Sequence, residues 1–599
     1  MISVLLALAA SAGAAPPPPI RRFSTRSPAA MAVYLADAQD QGFALAHAAT
    51  AMGIPVFFTR DLAQALAQPM VATAGELSGA ALTAAVAARL DAYVRAGGTL
   101  ILDDVESRGA QDLAGLSGAV ASSSRCAIAF GPANLDPALA RLTAPPSATI
   151  SIGSQKTRQA ILTQGLSPRS GAGVATLARF DDGTAAVVRR DLGRGRVYAL
   201  GATFTDLILR PQGNHDFDAQ RFYDNHFEPS ADVPQIFLRD LYAARVPAAV
   251  TVDPVPDGLE GALILTHDID YRRSVVNMLA YAGFEFGAGV SATYFVQTKY
   301  IKDYEDEAFF DAAARRIVAQ VLRLGADIGS HSVSHAYDWS QFPLGTGRET
   351  ADDYRPTVLS RGASSREGRT AGGSVTGEIR VSRALLKDAV PRAPLEAYRT
   401  GYLNINPAQW DVLAQNGFRF DSSYSADDVM TVFPYEMMAR AGFDVESGVL
   451  QFPVLLLDSV APLEPRIPSF LTVLDQEALF HGVCVVLLHP DVVGEKLRVE
   501  KALVDHVRGR FWIGNLSNFG DFWRGRAAAR VRASGGPRRL VVAVTADRAV
   551  TGLTLDFPRR VVLLGSTGTG ARPARSDRAI VLGALPAGAT ATLTLSERP

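Results

Sequence analysis

Cysteine is almost absent: Cys126 and Cys484 are the only 2 in 599 residues. That excludes a disulfide framework and any Cys-rich zinc module. A surplus of one charge is also lacking, with 59 Lys+Arg against 60 Asp+Glu and a net charge of −1. There is thus no electrostatic case for nucleic acid, or for an anionic membrane, as the main partner. No apolar run approaches the ~20 residues a transmembrane helix requires, so no membrane span is expected. Tryptophan is sparse, with 4 residues, and neither Trp nor Tyr follows Trp523. What is present is 48% hydrophobic and 20% charged residues, which excludes a largely disordered or collagen-like chain. The 9 histidines are few enough to weigh singly.

The apolar run ISVLLALAASAGAA at 2–15 contains the A-x-A pattern Ala12-Gly13-Ala14 and is followed at once by Pro16 to Pro19. This reads as a signal peptide over 1–14 and predicts export, to a periplasm or outside the cell. Three regions follow. Over 28–245, short apolar runs (Val33 to Leu35, Val56 to Phe58, Thr99 to Leu102) alternate with helical segments such as Ala81 to Ala96. Antiparallel strands are expected later, over Thr176 to Phe180, Ala185 to Arg190 and Arg196 to Leu200. The stretches YVRAGGTLILDD and GRGRVYALG resemble glutamine-amidotransferase-like domains. Cys126 lacks the Gly-flanked elbow of a nucleophile and reads as a small buried hydrophobe, so this domain is expected to be non-catalytic. Residues 537–597 carry short β-rich runs separated by Gly, Pro and Asp, the pattern of a small β-sandwich. With Phe557 its only aromatic, it lacks sugar-stacking platforms and reads as a structural cap.

The chemistry lies in 255–527. Ala262 to Thr266 is an apolar run of strand length ending in His267-Asp268-Ile269-Asp270. Carboxylates paired at a strand end suit a division of labour in which one holds a metal and the other accepts a proton. After a further strand-like run, Ala326 to Ser330, comes His331-Ser332-Val333-Ser334-His335. Histidines at i and i+4 of a helical turn can present two imidazoles to one ion. Two imidazoles and one carboxylate would leave open positions on Zn²⁺ or a similar divalent metal, as in a catalytic site, and a hydrolase of amide or ester bonds follows.

These motifs, with Leu487-Leu488-His489, resemble those of polysaccharide deacetylases of the NodB-homology type, carbohydrate esterase family 4. SATYFVQT (291–298), GEIRVSRALL (377–386), YRTGYLNINP (398–407), GFRFDSSYS (417–425) and LQFPVLLLD (450–458) fall between them in the family's order. The resemblance implies that Asp270, His331 and His335 hold the metal and that Asp268 is the general base. It implies that Arg399 pairs with Asp268 and that the backbone N–H of Tyr402 helps stabilise the oxyanion. His489 would protonate the leaving amine, with Asp421 tuning it and Leu487 lining the acetyl pocket. The sequence departs from the family in spacing the two aspartates, in placing Gly401 where the arginine motif usually has Pro, and in having no Trp beside Asp421. Residues 344–376 form a polar insertion that could wall a substrate groove.

The expected fold is α/β: an α/β layered domain, a distorted (β/α) barrel and a small β-sandwich. The expected activity is removal of N-acetyl groups from a polysaccharide of acetylated amino sugars. O-acetyl esterase activity and a catalytically silent glycan-binding or assembly protein are the alternatives. His267 neighbours the site, while His481 and His506 read as surface residues without partners.

Overall fold

The computed structural model of the chain describes residues 27–36, 42–75, 77–143, 146–214, 225–304, 308–362, 367–439 and 445–598. The leader and His215 lie outside them. The first region builds an 11-stranded sheet. Five of its strands are parallel, in the order Val56–Thr59, Met31–Leu35, Met70–Ala74, Thr99–Leu102 and Gly195–Leu200. Met31–Leu35 is buried throughout, as a parallel strand covered on both faces should be. Ala185–Leu192 and Val174–Phe180 then continue the sheet antiparallel. Cys126 is buried, its thiol donating to the Ser154 carbonyl at 3.3 Å, and burial pushes its pKa up.

The central region forms a curled, mainly parallel sheet. Its strands are numbered here β1 (Gly261–Ile269), β2 (Thr293–Val296), β3 (Asp327–Ser330), β4 (Ala397–Tyr398), β5 (Phe420–Asp421), β6 (Tyr435–Ala439), β7 (Val445–Gln451), β8 (Val454–Leu457), β9 (Val483–Leu488) and β10 (Phe511–Gly514). They lie in the order β6-β7-β5-β4-β3-β2-β1-β9-β8, with β10 also on β1. The chain from 445 to 457 joins the two ends of this half-barrel: β7 pairs with β5, and β8, directly after it, pairs with β9. β1 is buried along all 9 residues between parallel β2 and β9. The C-terminal ends of β1, β3 and β9 thereby share one rim, where chemistry collects in sheets of this kind.

Two four-stranded antiparallel sheets make up the C-terminal part. Alternate residues of Arg539–Ala546 (Leu540, Val542, Val544, Ala546) are buried, the period-2 signature of a sheet with one covered face. These sheets begin earlier than 537, at Ala529–Gly536, and one borrows a strand from the linker, where Thr251–Val252 pairs with Thr554–Asp556. A short isolated strand leaves no hydrophobic run of its own, so the sequence pattern passes over it. Arg526, nearly inaccessible, ties the three regions together. Its guanidinium donates to the carbonyls of Thr50, Ala51, Val252 and Asp253 at 2.6–2.9 Å. Ser27 in turn exchanges hydrogen bonds with the backbone of Ala533. Among the described residues no helix is long and apolar enough to cross a membrane.

Candidate active site

Strand geometry brings Thr266, Asp268 and Asp270 toward one side of β1 and turns His267 and Ile269 to the other. Asp270, just past the strand, stands beside the loop that follows β3: its Oδ1 is 3.2 Å from His331 Nε2 and 3.7 Å from His335 Nε2. These ligand atoms all lie within 4.8 Å of one another. A tetrahedral ion with bonds of ~2.0–2.1 Å separates its ligand atoms by about 3.3 Å, so the set fits. Asp270 Oδ1 and His331 Nε2 are also buried without a hydrogen bond, which is costly unless something sits between them. His331 Nδ1 faces the Arg399 carbonyl at 2.8 Å; that acceptor fixes the proton on Nδ1 and leaves Nε2 as the lone-pair donor. The residues present therefore fit a divalent cation.

The histidine loop corrects the sequence reading in one respect. His331 to His335 is not a helical turn: Ser332 (φ 63°) and His335 (φ 53°) both adopt left-handed backbone. Such backbone persists in non-glycine residues only where neighbours over-determine it, and here the neighbour is Glu378. This residue lies in the first turn of helix α2 (Val375–Ala389), where α1 is Arg272–Ala288 and α3 is Gly494–Val507. One Glu378 oxygen accepts from the N–H groups of Val333 and Ser334 at 2.7 and 2.8 Å. The other accepts from the hydroxyls of Ser334 and Tyr354 at 2.8 and 2.9 Å. Tyr354 belongs to the 344–376 insertion, so that segment buttresses the histidine loop.

Glu378 was not singled out from the sequence; its only signal was its place in GEIRVSRALL. Replacing it by alanine strips the loop of every one of these acceptors. We expect metal affinity to fall about 10–100-fold, the usual cost of removing a partner that orients a ligand. Glu378→Gln, whose amide oxygen can still accept from both N–H groups, should recover most of it, as read by metal titration.

Arg399 follows β4 and is wholly buried. It donates to Asp268 Oδ1 at 2.8 Å, to Thr266 Oγ1 at 2.9 Å, and to the carbonyl and hydroxyl of Ser422, each at 2.8 Å. Its guanidinium also lies over the Phe295 ring, 4.4 Å from the centroid. Burial lowers its pKa while Asp268 opposes that shift. Asp268 is thus held by Arg399, whereas Asp270 stands among His331, His335 and His489.

On the facing side, His489 follows β9. Its Nε2 is 3.4 Å from Asp270 Oδ2, and its Nδ1 is 2.6 Å from Asp458 Oδ1. Asp458 follows β8, and its other oxygen takes the His489 N–H and the Lys496 ammonium, each at 2.7 Å. Burial alone would lower the His489 pKa, but the Asp458 carboxylate, with Asp270 and Asp268 behind it, raises it to about 10. Burial likewise works to raise Asp458, and the charges of His489 and Lys496 override it and bring it to about 2.

Asp421 therefore does not partner His489. It is buried on β5, accepting from Ser423 Oγ at 2.6 Å and Trp410 Nε1 at 3.3 Å, and burial raises its pKa to about 7 against those bonds. A tryptophan does accompany it, contrary to the sequence reading, but from α-helical Gln409–Gln415 rather than from its own segment. Leu487 is buried within β9, opposite Thr266.

Tyr402 sits in the Gly401–Leu403 turn with φ 57°. Its ring packs edge-on to His335 at 4.3 Å and stacks on Tyr337 at 4.4 Å. Gly401 has a packing role: a Cβ there would fall 2.7 Å from the His335 ring, so the missing side chain makes room for a metal-ligand candidate. Of the other histidines, His481 and His506 do have partners, Asp253 at 2.6 Å and Asp475 at 3.1 Å.

No protein-family model matches the chain, and no curated protein matches it. Among solved structures it is similar to a putative polysaccharide deacetylase from Mycobacterium smegmatis, at 15% identity and a TM-score of 0.31 over 45% of this chain and 93% of that one. It is similar to the chitin deacetylase of Colletotrichum lindemuthianum at 13% identity and a TM-score of 0.28, covering 44% of this chain and 89% of that one. A family 4 carbohydrate esterase pseudoenzyme from Bacillus anthracis matches at 10% identity and a TM-score of 0.24, over 43% and 65% of the two chains. Likeness at this level leaves the chemistry to be read from the side chains.

Proposed function

We propose that the chain is a metal-dependent hydrolase that removes N-acetyl groups from a polysaccharide of acetylated amino sugars. The observation that carries this reading is the convergence of three functions on one rim. The unpartnered ligand atoms of Asp270 and His331, with His335, form a cation cradle. The Arg399-held Asp268 stands on one side of it and the Asp458-held His489 on the other.

A divalent cation in that cradle, Zn²⁺ by the chemistry of its donors, would polarise the acyl carbonyl and acidify a water. Asp268 accepts a proton from the attacking water as the water oxygen adds to the acyl carbon, and Arg399 keeps the carboxylate aimed. The backbone at Tyr402 is the proposed further donor to the oxyanion. His489, held as imidazolium by Asp458, gives its proton to the nitrogen as the C–N bond breaks, releasing acetate and a free amine. Export by the leader belongs to the same proposal, since polymers of this class lie outside the cytoplasm.

Acetate release tests the reading directly. A panel of N-acetylated and O-acetylated oligosaccharides should yield acetate chiefly from the N-acetyl members, and a chelator should abolish release until metal is restored. Release from O-acetyl substrates alone would make the chain an esterase. No release from any glycan by metal-loaded protein would overturn the hydrolase reading.

A further inference from the structure

Behind the reacting groups, on the opposite side of β1, lies a second cluster that the proposed reaction does not use. The His267 ring points toward α1 and α3, where it meets Glu285 and Glu500. Its Nε2 is 2.8 Å from Glu285 Oε1 and 3.7 Å from Glu500 Oε2. Those separations bracket the ~3.3 Å expected between ligand atoms of a tetrahedral ion, as do the 3.2 and 3.7 Å of the Asp270 cluster. The three residues are sealed from solvent, at 1%, 2% and 0% exposure. The rings of Tyr281 and Tyr294 pack on the imidazole at 5.0 and 4.7 Å.

Three features point to a ligand. The first is how the ring is held. His267 Nδ1 lies 3.2 Å from the Leu488 carbonyl, and its Nε2 is hydrogen-bonded to Glu285 Oε1 at 2.8 Å, the edge at which a cation would take the place of the shared proton. His331 is arranged in the same way, with its Nδ1 on the Arg399 carbonyl, and this is how metal-bound imidazoles are held.

The second is Glu500. Both of its oxygens are buried with no hydrogen bond, whereas Glu285 Oε1 accepts from the Tyr294 hydroxyl at 2.9 Å. A buried carboxylate without a donor is expensive.

The third is charge, since two carboxylates share one imidazole in a sealed space. Burial and the neighbouring Glu285 carboxylate push the Glu500 pKa well above the usual range. A divalent cation would balance both carboxylates at once and relieve that penalty.

We propose that His267, Glu285 and Glu500 form a second, non-catalytic divalent-cation site. One imidazole and two carboxylates suit Zn²⁺, Mn²⁺ or Fe²⁺ better than Mg²⁺ or Ca²⁺. The ion would fasten β1 to α1 and α3, fixing the strand whose other side carries Asp268 and Asp270. With no route to solvent, it would enter during folding and leave only on unfolding.

Counting metal in the full chain after refolding with excess Zn²⁺ tests this. The unaltered protein should hold two equivalents, and the H331A/H335A variant one. Dialysis against chelator should remove the Asp270-bound equivalent within hours and leave the second until denaturant is added. Adding E285Q and E500Q to H331A/H335A should remove the last equivalent. If those additions prevent folding, Co²⁺-loaded H331A/H335A should still show the visible absorption of a four-coordinate N/O site.

An H331A/H335A protein that retains no metal and shows no such band overturns the proposal. So does a single equivalent in the unaltered chain together with an E500Q variant of equal metal content and equal melting temperature, which would identify a carboxylate pair held by a proton. Neither result bears on the deacetylase reading, which is judged by acetate release.

Discussion

Asp268→Asn is expected to slow acetate release by about 10²–10⁴-fold, the range that a positioned general base contributes, with metal content unchanged. The asparagine keeps the shape and can still accept from Arg399, but it cannot take a proton from water. The loss should fall on kcat rather than on KM, because Asp268 is proposed to act on the attacking water and not on the sugar. Asp270→Asn provides the contrast. Asp270 is the carboxylate grouped with both histidines, so its replacement should lower metal content together with rate. If Asp268→Asn lost metal and Asp270→Asn kept it, the two roles would be exchanged. If Asp268→Asn kept full rate, the base would have to be sought elsewhere.

Arg399→Met should cost about 3–5 kcal/mol of folding stability, the usual penalty for removing one member of a buried ion pair. The reason is what remains behind: Asp268, 3% exposed, would lose its cationic partner, and Ser422 and Thr266 would lose their donor. Denaturant melts of the metal-free protein measure this without reference to activity. Combining it with Asp268→Leu should recover part of the loss, since an apolar pair leaves no stranded charge. A single variant as stable as the original would mean that the Asp268 carboxylate is compensated by another group.

At strand ends the sequence was readable. Asp268 and Asp270 follow the apolar run Ala262 to Leu265, and His331 and His489 follow two further strand-like runs, so parallel pairing was enough to gather them on one rim. The partner of His489 was misread because Asp421 was chosen by its place in a motif order. Register decides otherwise: β8 and β9 pair Leu457 with Leu487, which brings Asp458, one residue on, beside His489, two residues on. Two neighbouring runs, VLLLD and VVLLH, each ending in a polar residue, held that signal.

The shape of the histidine loop was illegible for a different reason. An i, i+4 spacing implies one face only if the backbone is helical, and the left-handed Ser332 and His335 depend on Glu378, 43 residues beyond His335 in the chain. Likewise, the strand Thr251–Val252 exists only because Thr554–Asp556 is there to pair with it. Local pattern cannot report a conformation imposed from a distance.

The bond between Ser27 and Ala533 spans 506 positions, and Arg526 fastens the helix ending near Thr50 to the linker at Val252. The first unit can therefore fold as it leaves the ribosome without having all of its final contacts. Its first sheet can assemble early, yet the Ser27 hydroxyl and the carbonyls of Thr50 and Ala51 lack these partners until the segment from Arg526 to Ala533 has been made. Docking of that distant segment is what closes the contacts of the first unit.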